Sequence, residues 1–415
     1  MKTEVSSGEH VKIVAGAKEY EGIVMPRSEL ERPGILSLKL TSGYNIGLLE
    51  KDISEIKKLG SREKLESFPS KPPSKNPKLP SIDILGCGGT IASRVDYVTG
   101  GVKSAMSPEE ILFSVPELGS VANINDARII LNVWSEAMNH KDWETMAKET
   151  KKSLDSGVRG VVLMHGTDTM HYSSAALSFM LPEISGPVVF TGAQRSSDRG
   201  SSDAVENLLS ASILAAKSDI GVPVLCMHET SSDGACAAHL GTKVRKLHSS
   251  RRNAFTSVNA SPVARVLPNE RKLIMLGDSK PLSDSTKIDT RFDSNIALLK
   301  AFPGAKGEMI DSLVANGTKG IVIEATGLGQ VNNEWMKEVT KAIKDGVTIC
   351  FAAQTIYGRL DPYVYEPARR MLKAGVIYCE DMLSETAYVK LGCVLGQKLD
   401  PKEEMRKSWV GEISE

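Results

Sequence analysis

From Ile82 onward the chain repeats one rhythm: a short apolar run, a glycine-bearing turn, then a helical stretch. Ile82-Asp83-Ile84-Leu85 ends in Gly86-Cys87-Gly88-Gly89, and Val161-Val162-Leu163-Met164 ends in His165-Gly166. A helical stretch from about Lys141 to Leu154 leads into the second of these runs, and another helix follows His171. Val188-Val189-Phe190 and Val222-Pro223-Val224-Leu225 continue the series. Short runs that are apolar throughout are buried on both faces, and strands alternating with helices need crossover connections. The rhythm therefore predicts a parallel sheet flanked by helices. A second pass begins near Asn295, with a strand at Gly320-Ile321-Val322-Ile323, a helix over about Asn332 to Lys344 and a strand from Val347 to Phe351. The polar, Ser/Asp-rich stretch from Arg271 to Asp293 suits a connector between two α/β lobes. Ser107-Pro108-Glu109-Glu110 has the composition of a helix start, with Ser as N-cap, Pro at the first helical position and Glu at the third.

The segment before Ile82 reads differently. Val11-Lys12-Ile13-Val14, Gly22-Ile23-Val24-Met25 and Ile35 to Leu40 are apolar or alternating, and Glu31-Arg32-Pro33-Gly34 and Thr41-Ser42-Gly43 punctuate them. Several short strands in so short a stretch predict a small β-barrel. Pro69, Pro72, Pro73, Pro77 and Pro80 follow, interleaved with Ser and Lys. Prolines fix φ and lack an N–H, so this stretch is expected to be an extended, semi-rigid linker. The expected organisation is a β-barrel at 1–60, a linker at 61–80, an α/β lobe at 81–275, a connector at 276–292 and a second α/β lobe at 293–415.

Composition narrows the function classes. Lys plus Arg equals Asp plus Glu at 51 each, so no excess charge points to a polyanionic partner. The six cysteines form no CxxC pair and mostly lie in apolar runs, which suits buried thiols in a reducing compartment. The seven histidines form no HExxH-type motif, so no metal site is expected from sequence. The polar Met1 to His10 has no signal-peptide core, and no run approaches the roughly 20 apolar residues of a membrane span. A cytoplasmic protein without a membrane association is the expectation.

Three places are chemically suggestive. Gly88-Gly89-Thr90-Ile91-Ala92-Ser93 follows a buried strand, where an open parallel sheet binds ligands beyond its carboxyl edge. Paired glycines let a substrate approach the backbone, and the Thr90 hydroxyl is placed to attack. The pattern lacks a GxxxxGK[ST] continuation, so it is not a nucleotide loop of that type. His165-Gly166-Thr167-Asp168-Thr169 stands at the end of another strand and opens a helix, whose N-terminus favours an anion such as a substrate carboxylate. Simple N-capping by Thr or Asp is the competing reading. Lys246, in Val244-Arg245-Lys246-Leu247-His248, reads either as a solvated surface residue or as a base desolvated beside Thr167 and oriented with Asp168.

In this order and with a lysine downstream, GGTIAS and HGTDT resemble the bacterial-type L-asparaginase/glutaminase family. The resemblance runs from about Ile82 through the second lobe and implies a two-lobed asparaginase-like α/β body. It implies Thr90 as the nucleophile, with Thr167, Asp168 and Lys246 supporting it, and leaves open which threonine forms the acyl-enzyme. Lys246 is favoured over Lys243 because Phe255 follows it at the family's spacing. By the same resemblance Ser135 would hold the substrate α-carboxylate. Glu136, where the family often has Gln, would meet the α-ammonium; a polar loop pair is the alternative. Gly89 would contribute to the backbone cradle, and Tyr97, on a segment that is a mobile lid in the family, would relay the Thr90 proton. The residues that family enzymes borrow from a neighbouring subunit have no clear counterpart in this chain.

Simple asparaginases lack the β-rich extension. A barrel, a proline linker and an asparaginase-like body together resemble the D-subunit branch of archaeal glutamyl-tRNA(Gln) amidotransferases, as do Arg251-Arg252 and the run from Gly375 to Ala387. That resemblance implies a ligase complex of protein biosynthesis, in which a dimer of this chain joins two copies of the amidotransferase E subunit in a heterotetramer. This chain would release ammonia from Gln or Asn and need no cofactor. The E subunit would use ATP and Mg and hold most of the Glu-tRNA(Gln). The alternatives are a free-standing cytosolic L-asparaginase whose barrel serves oligomerisation, and a non-catalytic amino-acid-binding module.

Overall fold

A computed structural model of the chain describes residues 5–25, 34–40, 45–61, 76–88, 93–95, 102–104, 115–195 and 202–414. The expected helix start at Ser107 and most of the proline-rich stretch lie outside these residues.

Five strands form the N-terminal β-rich domain: β1 (Glu9–Ala15), β2 (Lys18–Val24), β3 (Ile35–Leu40), β4 (Asn45–Leu49) and β5 (Ile53–Ser61). They make one antiparallel sheet in the order β4-β3-β2-β1-β5. Two register shifts between β1 and β5 bend the ladder around a core of Val11, Ile13, Val24, Leu38 and Leu48. Among the described residues no pairing joins β4 to β5, so the ladder ends at those two strands.

The first α/β lobe is built on β6 (Ser81–Gly86). A short antiparallel hairpin, β7 (Ser93–Val95) with β8 (Val102–Ser104), follows, and then β9 (Asn123–Ile129), β10 (Gly160–Met164), β11 (Val188–Thr191) and β12 (Val224–His228). The order β9-β6-β10-β11-β12 is parallel throughout. Every residue of β10, β11 and β12 is buried, which explains runs that are apolar throughout rather than alternating. Helices α1 (His140–Asp155), α2 (Met170–Met180) and α3 (Ala204–Lys217) make the crossovers. α1 carries the Asn139 capping box, with Asp142 closing it.

The sheet is mixed rather than wholly parallel. β13 (Cys236–Leu240), β16 (Ala264–Leu267) and β17 (Lys272–Met275) extend it antiparallel beyond β12, giving eight strands, and β14 (Val244–Lys246) pairs with β15 (Phe255–Ser257) as a separate ribbon. The reason is connection length: the 229–235 loop is too short to hold a crossover helix, so the chain turns straight back. Lys272–Met275, within the polar stretch from Arg271 that reads as connector-like but inside the expected 81–275 lobe, is thus an edge strand of the first lobe.

The second lobe is a parallel sheet β18-β19-β20-β21 (Ile296–Lys300, Gly320–Ala325, Thr348–Ala353, Ile377–Tyr378) with helices α4 (Glu308–Ala315), α5 (Met336–Lys344), α6 (Glu366–Ala374), α7 (Ser384–Gly396) and the short α8 (Pro401–Glu404). The expected helix from Asn332 begins as a 3-10 turn at Asn333–Trp335 and becomes α-helical at Met336. α7 packs on both α2 and β19, so it joins the two lobes. Both α2 and α7 are buried around nearly their whole circumference, as helices between two layers must be. All six cysteines are free and buried. Among the described residues no helix is long and apolar enough to cross a membrane.

Candidate active site

In the parallel sheet the chain leaves β6 toward β9 on one side and later takes up β10 on the other. The crevice between the carboxyl ends of β6 and β10 is therefore the topological switch point, where open α/β sheets bind ligands. Gly86 is level with Met164 in the register, and the Cys87 N–H donates to the Met164 carbonyl at 2.8 Å. The two loops that begin with Gly88 and His165 consequently leave the sheet side by side.

Backbone contacts fix Gly88, where the first loop begins. Gly88 has φ +96°, and a Cβ there would lie 2.2 Å from the Val133 carbonyl oxygen. Only glycine accepts both the conformation and the approach. Ile130 and Leu131 donate to the Gly86 carbonyl at 2.8 and 3.1 Å, which folds the segment after β9 across the end of β6. Gly89 and Thr90 follow Gly88 directly but lie outside the described residues, as does Tyr97 between the strands of the β7–β8 hairpin.

The crossing segment delivers Ser135, which is buried within a 3-10 turn. A Cβ on Gly166 would come within 2.9 Å of both Cβ and Oγ of Ser135, so the serine lies directly against the second motif. Thr169 Oγ1 donates to the Ser135 carbonyl at 2.6 Å and locks the two segments together. Glu136, next in the turn, is solvent-exposed.

The second motif does not behave as a helix cap. Thr169 occupies the N-cap position of α2 without a side-chain capping bond, because its hydroxyl is spent on Ser135. Asp168 turns outward instead: Lys246 Nζ donates to Asp168 Oδ1 at 2.6 Å and to Thr167 Oγ1 at 2.8 Å. The lysine side chain is 8% exposed while Asp168 is 65% exposed, so the carboxylate borders solvent and the amine lies behind it. Thr167 Oγ1 accepts from the lysine, which leaves its own O–H free to donate to a reacting group.

Lys246 reaches this place from the antiparallel side of the fold. It ends β14, level with Phe255 on β15, and Leu247 donates to the Ala254 carbonyl at 2.7 Å. The second lobe anchors that ribbon. Thr386 Oγ1 donates to the Thr242 carbonyl at 2.9 Å, and Lys243 Nζ donates to Asp381 Oδ2 at 2.6 Å and to Ser414 Oγ at 3.0 Å. Lys243 is therefore a buried tie between lobes, whereas Lys246 faces Thr167. Arg245 Nε lies 3.0 Å from Glu385 Oε1, which is also 3.9 Å from His171 Nε2. Burial, with the nearby cations of Arg245 and Lys246, lowers the His171 pKa to about 3, so this ring is neutral. Burial likewise lowers His165 to about 4, and its Nδ1 contacts the Gly166 carbonyl at 2.6 Å, bracing the turn.

Reading the sequence missed the clamp role of Thr169, the Arg245–Glu385 tie and Gly192. A Cβ on Gly192, after β11, would lie 2.6 Å from the His165 carbonyl oxygen and 3.1 Å from Thr167 Cγ2. Thr169 stood inside the HGTDT motif; the other two had no local signal.

Three family matches cover most of the chain: the N-terminal asparaginase domain at residues 81–278, the glutaminase/asparaginase C-terminal domain at 295–407 and the GatD N-terminal domain at 5–59. The D subunit of the Pyrococcus furiosus glutamyl-tRNA(Gln) amidotransferase is 46% identical, over 99% of this chain and 95% of that protein. The chain belongs to the family of glutamyl-tRNA(Gln) amidotransferase D subunits. The Methanopyrus kandleri D subunit is 42% identical over 99% of this chain and 92% of its own length. Among solved structures, the thermostable L-asparaginase from Thermococcus kodakarensis aligns with a TM-score of 0.72 at 31% identity, over 81% of this chain and 99% of that one. The probable cytoplasmic L-asparaginase of Campylobacter jejuni aligns at 0.66 and 25%, over 79% and 100%. A whole asparaginase thus corresponds to about four-fifths of this chain, in keeping with a family that adds an N-terminal domain.

Proposed function

We propose that the chain is the amide-hydrolysing subunit of a tRNA-dependent amidotransferase, releasing ammonia from the side chain of Gln or Asn for use by a partner subunit. The observation that carries the chemistry is Lys246 Nζ bonded to both Thr167 Oγ1 and Asp168 Oδ1 at the switch point, where β6 also runs out into Gly88. Membership of the D-subunit family supports the assignment to a ligase complex of protein biosynthesis.

In this reading the Thr90 hydroxyl adds to the side-chain amide carbonyl, with Tyr97 passing its proton to the departing nitrogen. Backbone N–H groups around Gly89 and Thr90 hold the oxyanion, each such donor contributing about 3–4 kcal/mol. The C–N bond breaks and ammonia leaves. Water then adds to the ester through the Thr167–Lys246 pair: the Thr167 hydroxyl, held by Lys246, takes a proton from the water as it gives its own to the Thr90 oxygen, the ester C–O bond breaks, and Glu or Asp departs with Thr90 restored. The net reaction consumes one water and releases one ammonia. Ser135 holds the substrate α-carboxylate, and Glu136, exposed at the same turn, faces the α-ammonium. Asp168 keeps Lys246 aimed at Thr167.

This chain needs no cofactor for these steps. ATP and Mg belong to the E subunit, which activates the glutamyl carboxylate of Glu-tRNA(Gln) and forms a heterotetramer with a dimer of this chain. The balanced charge of 51 basic and 51 acidic residues agrees with the tRNA resting mainly on the partner.

Ammonia release from Gln and from Asn, by the chain alone and then with the E subunit, Glu-tRNA(Gln) and ATP, tests the proposal. Stimulation by the full set supports it, and Thr90→Ala is expected to abolish release in both settings. Steady Asn hydrolysis by the isolated chain, indifferent to the other components, would assign it instead as a free-standing asparaginase.

A further inference from the structure

A second cluster of chemically capable side chains lies at the carboxyl end of β12, away from the Lys246 site. His228 ends that strand and is fully buried. Its Nδ1 lies 2.6 Å from Asn207 Oδ1. The Asn207 amide NH2 donates to the Gly192 carbonyl at 3.0 Å and to Asp203 Oδ2 at 2.9 Å, which fixes Oδ1 as the acceptor. Nδ1 is therefore the donor, and in the neutral ring Nε2 presents a lone pair.

That lone pair has no hydrogen-bond partner although it is buried, and the same is true of Glu206 Oε2. The two atoms face each other at 2.9 Å, out of line for an N–H···O bond, and Asp233 Oδ1 is 3.7 Å from the same nitrogen. One donor atom from each of Glu206, His228 and Asp233 falls within 4.8 Å of the others. Ligands ~2.1 Å from a tetrahedral metal are ~3.4 Å apart, and the observed separations bracket that value. The outer contacts are in place as well. Glu206 Oε1 accepts from the Gly234 N–H at 2.8 Å, leaving Oε2 for an ion, and Arg252 Nη1 bonds to Asp233 Oδ1 and orients that carboxylate. Asn207 holds the histidine in the tautomer that a metal requires, as carbonyl acceptors do behind ligating imidazoles.

We infer that Glu206, His228 and Asp233 form a site for one divalent transition-metal ion, with one nitrogen and two oxygen ligands from the protein and the remaining positions open to water. An imidazole ligand beside two carboxylates selects a zinc-like ion over magnesium. Its role is structural. The ion joins the first turn of α3, the 229–235 loop and, through Arg252, the loop between β14 and β15, the ribbon that carries Lys246. Through Asn207 and the Gly192 carbonyl it also braces the turn packed against Thr167. His228 and Asp233 stand five residues apart at the end of β12 and in the loop after it, Glu206 comes from α3 on the other side of that strand in sequence, and the three match no linear metal motif.

The test is titration of ZnCl2 into the full-length chain after chelator treatment, followed by calorimetry at pH 7.5, with MgCl2 as the comparison. One zinc per chain is expected to bind saturably, and magnesium not at that stoichiometry. Zinc at a hundred times its Kd should raise Tm by about 3 °C. Glu206→Gln, whose amide oxygen still accepts from Gly234, and Asp233→Asn should each weaken zinc binding by at least the ~10–100-fold that loss of an outer partner costs. These readouts do not involve amide hydrolysis, so they stand or fall apart from the proposed activity. Absence of stoichiometric zinc binding would overturn the inference, because Nε2 would then carry a second proton in place of a metal. Binding that both variants leave unchanged would overturn it too.

Discussion

Lys246→Met separates a catalytic lysine from a structural one. Methionine keeps the apolar stem and removes the amine, and with it the 2.8 Å bond to Thr167 Oγ1 and the 2.6 Å bond to Asp168 Oδ1. The remaining carboxylate is 65% exposed, so water replaces the lost partner. An ion pair with one end in solvent contributes about 0–1 kcal/mol, and Tm should fall by no more than roughly 2–4 °C. Catalysis should suffer far more: a positioned proton-transfer group contributes about 10²–10⁴ in rate, or ~2.7–5.4 kcal/mol of transition-state stabilisation. Lys243→Met, three residues earlier, is the control with the opposite profile. Its partner Asp381 is 5% exposed at 2.6 Å, and breaking a buried pair costs about 3–5 kcal/mol. Urea unfolding and steady-state ammonia release on both variants give four numbers. The reasoning is refuted if Lys246→Met retains kcat/KM within about fivefold of the parent, or if it loses as much stability as Lys243→Met.

Gly88→Ala meets both a φ of +96° and a carbonyl oxygen 2.2 Å from the new Cβ, so the backbone at position 88 must shift; with Thr90 two residues on in sequence, kcat should fall at least ~100-fold, since small misplacement of a reacting group costs that much, and near-normal kcat would remove this segment from the mechanism. Thr169→Val deletes the 2.6 Å bond to the Ser135 carbonyl. If Ser135 binds substrate, KM should rise more than kcat falls, and an effect confined to kcat would contradict that role. Stability should fall with acidification from pH 7.5 to 5.5. Burial lowers His165 to about 4, His171 to about 3 and His239 to about 4, so these rings stay neutral in the folded chain while the unfolded chain takes up protons below about 6.5. The stability they contribute is fully present above the unfolded pKa and is lost as pH drops toward the folded values, by about 1.4 kcal/mol per ring at pH 5.5. In the metal-free chain His228 opposes the trend in part: burial lowers its pKa, but Cys236 and Glu206 more than reverse this. Urea midpoints independent of pH across this interval would contradict the neutral assignments.

The α/β character of the body was legible because its strands are buried on both faces: β10 and β11 match their apolar runs to within a residue, whereas β12 starts two residues after the run that begins at Val222 and continues to His228. The helix expected over Lys141 to Leu154 is α1, delimited by a capping box that depends only on near neighbours. The antiparallel extension β13, β16 and β17 was not read, since direction depends on the length of the 229–235 loop and not on the pattern of the strands. The same holds for Lys272–Met275, whose partial burial resembles that of a loop until β16 pairs with it.

The candidate site divides along similar lines. Residue sequence by itself determined which loops stand at strand ends, because Gly88 and Gly166 follow apolar runs that can only be strands. It also set Thr167 beside Asp168, since they are covalent neighbours. Tertiary structure alone decided what those groups face. Asp168 and Thr169 read equally well as helix caps, and only the crossing of the Ser135 segment and the approach of Lys246 draw both side chains away from the helix. Lys243 and Lys246 share one short segment and one chemistry; the lobe that packs against β14 makes the first a buried tie to Asp381 and leaves the second at Thr167. His228 and Asp233 are local neighbours, but Glu206 comes from α3, and only the packing of that helix on the end of β12 brings its carboxylate to them. Local sequence acts through bonds and near neighbours. The partner of a side chain is set by segments that meet only when the sheet closes.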